Sequence, residues 1–140
     1  MTLEDYLRHL PFSRHPEGGY YIETYRSDLV HSFSGFDGVR NLSTSILYLL
    51  PEGESSGLHR IKSDEIWYHQ DGGTLRLTEV EETGERREIR IGKDLASGAV
   101  IQHVVKAGLW FGSAPELGSV FVLLGCSVSP GFDFRDFELR

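Results

Sequence analysis

The sequence predicts an all-β fold, an antiparallel sandwich or barrel preceded by one short helix. Three observations carry this. Segments rich in β-branched and aromatic residues recur along the chain, the composition that suits a pleated, half-buried surface. Turn-forming stretches separate many of them: Pro51-Glu52-Gly53, Asp71-Gly72-Gly73, Thr83-Gly84-Glu85, Lys106-Ala107-Gly108 and Pro115-Glu116-Leu117-Gly118. Helical spacing stands out at one place only, the N-terminus.

There Leu3, Tyr6, Leu7 and Leu10 fall at i, i+3, i+4 and i+7, one stripe of a helix. Thr2 is placed to cap it, with Asp5 three residues on, and Pro11 ends it. A helix this short is unstable alone, so its stripe must dock on something. Strands are then expected over 20–25, 43–50, 57–61, 65–70, 75–81, 87–91, 100–105, 109–113 and 119–128. The continuous apolar runs 46–50 and 120–124 read as strands buried on both faces. A partner chain covering one of those faces is a reason to expect a homodimer.

With 140 residues the chain is expected to form a single domain, 1–140, large enough for a core without staples. Lys and Arg number 14 against 21 Asp and Glu, a formal charge of -7. Charging all 6 histidines would still leave -1. A nucleic acid or an anionic membrane needs a basic face, so neither is an expected partner. No apolar stretch approaches the length of a membrane span, and the N-terminus MTLEDYLRHL lacks the pattern of a secretory signal. The lone cysteine, Cys126, has no intrachain partner and fits a reducing compartment, so a cytoplasmic location is expected.

One window, residues 53–72, concentrates functional residue types. If 65–70 is a strand, Glu65, Trp67 and His69 share one face while Ile66, Tyr68 and Gln70 take the other. With Lys62-Ser63-Asp64 as a turn, His59 meets Glu65 across a hairpin. A carboxylate beside an imidazole serves as an acid–base pair or as two ligands of a metal. His69 lies about 13 Å along the strand from Glu65, too far to share an ion, and is expected at the far end of a pocket.

The window resembles the first cupin motif: Gly53, His59, Glu65 and Gly72 stand at its spacings, with Ile61 in place of the second histidine. The second motif is similar around Lys106-Ala107-Gly108-Leu109-Trp110-Phe111, where Lys106 replaces a proline and Phe111 the metal-binding histidine. Further blocks are His15-Pro16-Glu17-Gly18-Gly19-Tyr20, Thr44-Ser45-Ile46-Leu47-Tyr48-Leu49-Leu50 and Gly125-Cys126-Ser127-Val128-Ser129-Pro130-Gly131-Phe132-Asp133-Phe134. Together they resemble the fifth-numbered cupin family, a set of RmlC-like cupins. The resemblance implies a double-stranded β-helix, the jelly-roll cupin barrel, more firmly than any activity. It also implies an interior pocket, a dimer, and a metal set reduced to His59 and Glu65. His103 is a candidate to replace a lost ligand. No cofactor is assigned; a divalent metal remains one of the alternatives.

Three functions follow from these residues. Gly57-Leu58-His59 is similar to the segment that carries the base in cupin-type sugar-nucleotide epimerases. On that reading the protein is a metal-independent epimerase or isomerase acting on a sugar-like small molecule, with His59 as base and Glu65 orienting it. Tyr48 or Tyr68 is then the acid. The second is a metabolite-binding cupin without catalysis. The third is a metal-dependent enzyme with a depleted ligand set. Trp67, Tyr48, Trp110 and Phe111 are expected as an aromatic wall, Arg26 and Arg60 as anion-binding groups, and His69 and Asp133 as further pocket residues. The loop 15–19 is read as a structural turn, with Glu17 at most bordering the pocket. Cys126 is read as packing rather than as a nucleophile.

Overall fold

The computed structural model describes residues 1–140. Helix α1 (Leu3–His9) begins with the expected capping box: Thr2 accepts from the Asp5 backbone and Asp5 accepts from that of Thr2. Thirteen strands follow: β1 (Ser13–Arg14), β2 (Tyr20–Arg26), β3 (Val30–Ser32), β4 (Val39–Asn41), β5 (Thr44–Pro51), β6 (Ser56–Arg60), β7 (Asp64–Gly72), β8 (Leu75–Val80), β9 (Arg86–Ile91), β10 (Gln102–Val105), β11 (Trp110–Pro115), β12 (Phe121–Ser129) and β13 (Glu138–Leu139). They form a six-stranded sheet in the order β1-β2-β5-β12-β7-β10, a five-stranded sheet in the order β13-β6-β11-β8-β9, and the separate hairpin β3-β4. Pairing is antiparallel in every ladder of named strands. This is the all-β jelly roll expected from the sequence, with the expected short N-terminal helix.

The two sheets enclose a core of Tyr48, Leu50, Trp67, Leu75, Leu77, Ile91, Val105, Phe111, Val122, Leu124 and Cys126. The apolar runs 46–50 and 120–124 fall on β5 and β12, which pair side by side in the middle of the larger sheet. Their outer face is covered from within the chain. Leu3, Tyr6 and Leu7 of α1, with Phe12, pack on Leu49, Phe121 and Leu123. The helix stripe and the second apolar face explain each other, and the partner chain inferred from these runs is not needed to cover them.

One expectation about connectivity is corrected. β6 and β7 are consecutive but belong to different sheets, so residues 61–63 form a corner between sheets rather than a hairpin turn. Buried Ile61 and Ser63 anchor that corner, and the Ser63 hydroxyl donates to the Pro130 carbonyl at 2.7 Å. His59 and Glu65 therefore face each other across the interior between two sheets. No helix is long and apolar enough to cross a membrane.

Candidate functional site

A cavity of about 440 Å³ opens between the sheets. Its floor and walls come from Tyr48 of β5, His59 of β6, Ile61, Glu65 and Trp67 of β7, and Cys126 of β12. Inward-facing positions on strands alternate, so Glu65 and Trp67 arrive on the same side. The loop between β1 and β2 brings in His15 and Glu17, and the mouth is framed by Glu23, Arg26, Phe132, Asp133, Phe134 and Phe137.

His59 is held on three sides. Its ring lies between Phe111, with centroids 4.1 Å apart, and Phe137, stacked at 5.4 Å. Its Nδ1 is 2.7 Å from the Gly57 carbonyl and 2.8 Å from Glu17 Oε2. A carbonyl and a carboxylate only accept, so Nδ1 carries the proton and Nε2 is the free position. Burial disfavours charge on this imidazole, but the Glu17 contact and charge, the Gly57 carbonyl and the more distant Glu65 outweigh it. The net effect raises the His59 pKa above its ordinary value. The group that orients His59 is thus Glu17, not Glu65 as expected from the sequence.

Glu17 sits where it does because two glycines follow it. Gly18 has φ of +113° and packs so closely that a Cβ there would strike the Ser55 carbonyl oxygen. The Gly57 N–H donates to the Glu17 carbonyl at 3.2 Å, which pins the loop to the strand carrying His59. The Glu17 backbone N–H donates to His15 Nδ1 at 3.1 Å, so neutral His15 carries its proton on Nε2. Burial lowers the His15 pKa, with the nearby Glu17 charge opposing and His59 adding to the shift.

Glu65 is buried and makes no hydrogen bond or ion pair with any other side chain. Burial raises its pKa to about 7; the charge on His59 opposes this, Glu17 adds to it, and the Trp67 indole N–H offsets part. That N–H reaches no acceptor in hydrogen-bond geometry, and neither does Glu17 Oε2 find an aligned donor. The Trp67 indole N–H is thus a buried donor without a partner at the cavity wall, an arrangement that native interiors rarely leave unexplained, and Glu17 Oε2 has the His59 Nδ1 contact alone.

The remaining expected site residues divide sharply. Arg26 and Asp133 border the mouth, each already engaged: Arg26 with Glu23, Asn41 and the Phe132 carbonyl, Asp133 with Arg135. Tyr48 lines the cavity, but its hydroxyl donates to the Gly18 carbonyl at 2.6 Å, and burial pushes its pKa far up. Tyr68 is on the outer face of β7, its hydroxyl 3.4 Å from Ser127 Oγ. Arg60 and Trp110 alternate with the inward His59 and Phe111 and therefore point outward. There the Arg60 guanidinium stacks over Trp110 at 4.6 Å and pairs with Glu138. Phe111 is buried behind His59 instead of lining the cavity. His69 lies toward the other end of β7, beside a bulge opposite Leu123 and Leu124, and bonds the Gly73 carbonyl at 2.8 Å. His103 pairs with buried Glu79 at 2.8 Å and takes no part in the cavity. Burial, with the Glu65 and Glu17 charges, pushes the Cys126 thiol well up, so it stays protonated at the floor.

The residues present do not fit the metal that the cupin pattern implies. His59 directs Nδ1 to Gly57 and Glu17, Ile61 and Phe111 occupy two further ligand positions, and no three His, Cys, Asp or Glu side chains are placed to hold one ion. Three residues of the site carry little signal in the sequence: His15, Glu17 and Phe137. The one sequence signal for the first two was the Gly18-Gly19 pair, which marks a close backbone approach. Phe137 had no signal beyond its aromatic ring.

Comparison with known proteins bears on the fold and the family. The chain is 32% identical to a hypothetical protein from Leishmania major, with a TM-score of 0.91 over 100% of this chain and 88% of that one. It is 41% identical to protein SO0799 from Shewanella oneidensis, with a TM-score of 0.89 over 100% and 85% of the two chains. The uncharacterized protein YML079W of Saccharomyces cerevisiae is 30% identical across 96% of this chain and 73% of its own. Oxalate decarboxylase OxdC of Bacillus subtilis shares the fold alone, at 17% identity and a TM-score of 0.63, over 90% of this chain and 29% of that one. The sequence profile described as Cupin superfamily (DUF985) matches residues 4–140, and with these relatives it establishes that the chain belongs to that cupin family.

Proposed function

We propose that the protein binds a small molecule in this cavity and moves a proton on a carbon next to its carbonyl group, as an isomerase or epimerase does. The observation that carries this is the pairing of a histidine whose Nε2 is the free nitrogen with Glu65, a carboxyl that has no partner of its own. His59 Nε2 takes the C–H proton, and the electron pair left behind forms a C–C double bond. The former carbonyl oxygen takes the proton of Glu65 and becomes an enol hydroxyl. His59 then returns its proton to the former carbonyl carbon, and the hydroxyl on the neighbouring carbon passes its proton to the Glu65 carboxylate and becomes the new carbonyl, so no oxidant or reductant is consumed. Glu17 stabilises the imidazolium that forms, in the way a buried carboxylate supports a catalytic histidine.

Glu65 replaces the tyrosines as acid in this reading. Tyr48 spends its proton on Gly18, and Tyr68 is on the wrong face of its strand. Burial raises the Glu65 pKa to about 7, which keeps a proton available on that carboxyl near neutral pH. The same unpartnered atoms would serve a binding protein without turnover, and one experiment separates the two. Purified protein is incubated in D2O with a small-molecule extract, and mass spectrometry follows deuterium uptake at individual compounds. The proposal expects a compound that gains deuterium with wild type, at a rate lowered by about 10²–10⁴-fold in His59→Ala. A compound retained by the protein but never labelled decides for binding alone. Labelling unchanged in His59→Ala removes His59 as base.

A further inference from the structure

Resting on the proton-transfer reading of this cavity, we propose that its substrate is an uncharged hydroxycarbonyl compound, such as an unphosphorylated sugar, and not a phosphate ester or nucleotide-linked sugar. The first support is the commitment of every cation at the site. Arg26 is the only Arg or Lys lining the cavity. Its Nε and one terminal nitrogen bond Glu23, that terminal nitrogen also reaches the Phe132 carbonyl at 3.1 Å, and the other bonds Asn41 at 2.8 Å. The charge of a protonated His59 is matched by Glu17 at 2.8 Å. A phosphate dianion would find no free cation and would lie among Glu17, Glu23, Glu65 and Asp133. Bringing like charges into a partly buried site is costly unless they are paired.

The second support is the hydrogen-bonding capacity left at the cavity wall. Trp67, 2% exposed, offers an indole N–H, and Glu17 Oε2, whose near donor is His59 Nδ1 at 2.8 Å, keeps a lone pair for a second donor. One is a donor and the other an acceptor, and neutral His15 adds a second donor at Nε2. A carbonyl oxygen accepts and an adjacent hydroxyl donates, so a hydroxycarbonyl group answers both without bringing a charge. Phe132, Phe134 and Phe137 at the mouth give an apolar surface against which a sugar's C–H face can lie.

The test uses D-erythrulose and D-xylulose against their phosphate esters, followed by 1H–15N spectra of the two tryptophan indoles. Trp110 lies outside the cavity and serves as the internal reference. The neutral ketoses are expected to shift the Trp67 indole and not that of Trp110, and to bind at least tenfold tighter than their esters. Trp67→Phe should weaken them by roughly 2- to 12-fold, the range of one lost hydrogen bond. Esters that bind as tightly as the free ketoses, or a Trp67 resonance indifferent to every ketose, overturn the substrate class. Free ketoses that bind as expected but gain no deuterium from D2O support the class and overturn the proton-transfer reading on which it rests.

Discussion

His59, Glu17 and Glu65 form a unit in which each side chain sets the chemistry of the others. Glu17 and the Gly57 carbonyl fix the His59 tautomer, and the Glu17 charge works against ionisation of Glu65. Replacing Glu17 with Gln removes the charge that favours imidazolium. The His59 pKa should then fall, read as an NMR titration midpoint displaced to lower pH, and turnover should fall with it. For the intact site, activity requires one proton shared between His59 and Glu65. A bell-shaped pH profile centred near neutrality is expected, because Glu65 ionises at about 7 and the His59 pKa is raised. Glu65→Gln should lose the proton donor and flatten the alkaline limb of that profile.

At the scale of elements, the site depends on two pieces that are not core strands. The loop 15–19 places His15 and Glu17, and Gly18 lets it touch Ser55. Gly18→Ala forces both a clash and an unfavourable positive φ, so a loss of roughly 1–3 kcal/mol is expected by thermal or denaturant unfolding. The segment after β12 places Phe132, Phe134 and Phe137 and is tied to the hairpin by the buried Arg40–Asp136 pair, with bonds of 3.0 and 2.9 Å. Leu7→Ala on α1 should cost about 1 kcal/mol by trimming a partly buried contact with the second apolar cluster. Most of these elements were legible because their signals are local. The α1 stripe, the capping box and the strands carrying His59, Glu65 and Trp67 follow from spacing and alternation. Alternation also determines that Trp110 and Phe111 cannot both line one pocket, a constraint the aromatic content of 110–111 obscures. β1 and β13 are two-residue strands, and β3-β4 is an almost wholly exposed hairpin, so neither has a hydrophobic period to detect. Glu17 was not legible as a site residue because its partner lies 42 positions away in the sequence, across a loop whose path only the fold determines.

In the whole molecule, core and candidate site share the space between the two sheets. The core between the sheets runs into the cavity wall through Tyr48, Trp67 and Cys126, α1 seals the outer face of β5 and β12, and Glu17, Glu65 and His59 bring ionisable groups to the same interior. An ionisable carboxyl buried beside the core has a global signature. The folded-state pKa of Glu65 lies above its ordinary 4.5, so its contribution is fully present below about 4.5 and is lost as pH rises through about 7. The displacement corresponds to stability on the order of 3 kcal/mol, which Glu65→Gln should make independent of pH in denaturant unfolding. The most direct test of the acid–base cavity is a 13C-carboxyl NMR titration of glutamate-labelled protein, with Glu65 assigned by its loss in Glu65→Gln. The account predicts that the Glu65 resonance titrates near 7. Titration near the ordinary value of 4.5 would contradict it, because an already ionised Glu65 has no proton to give at neutral pH.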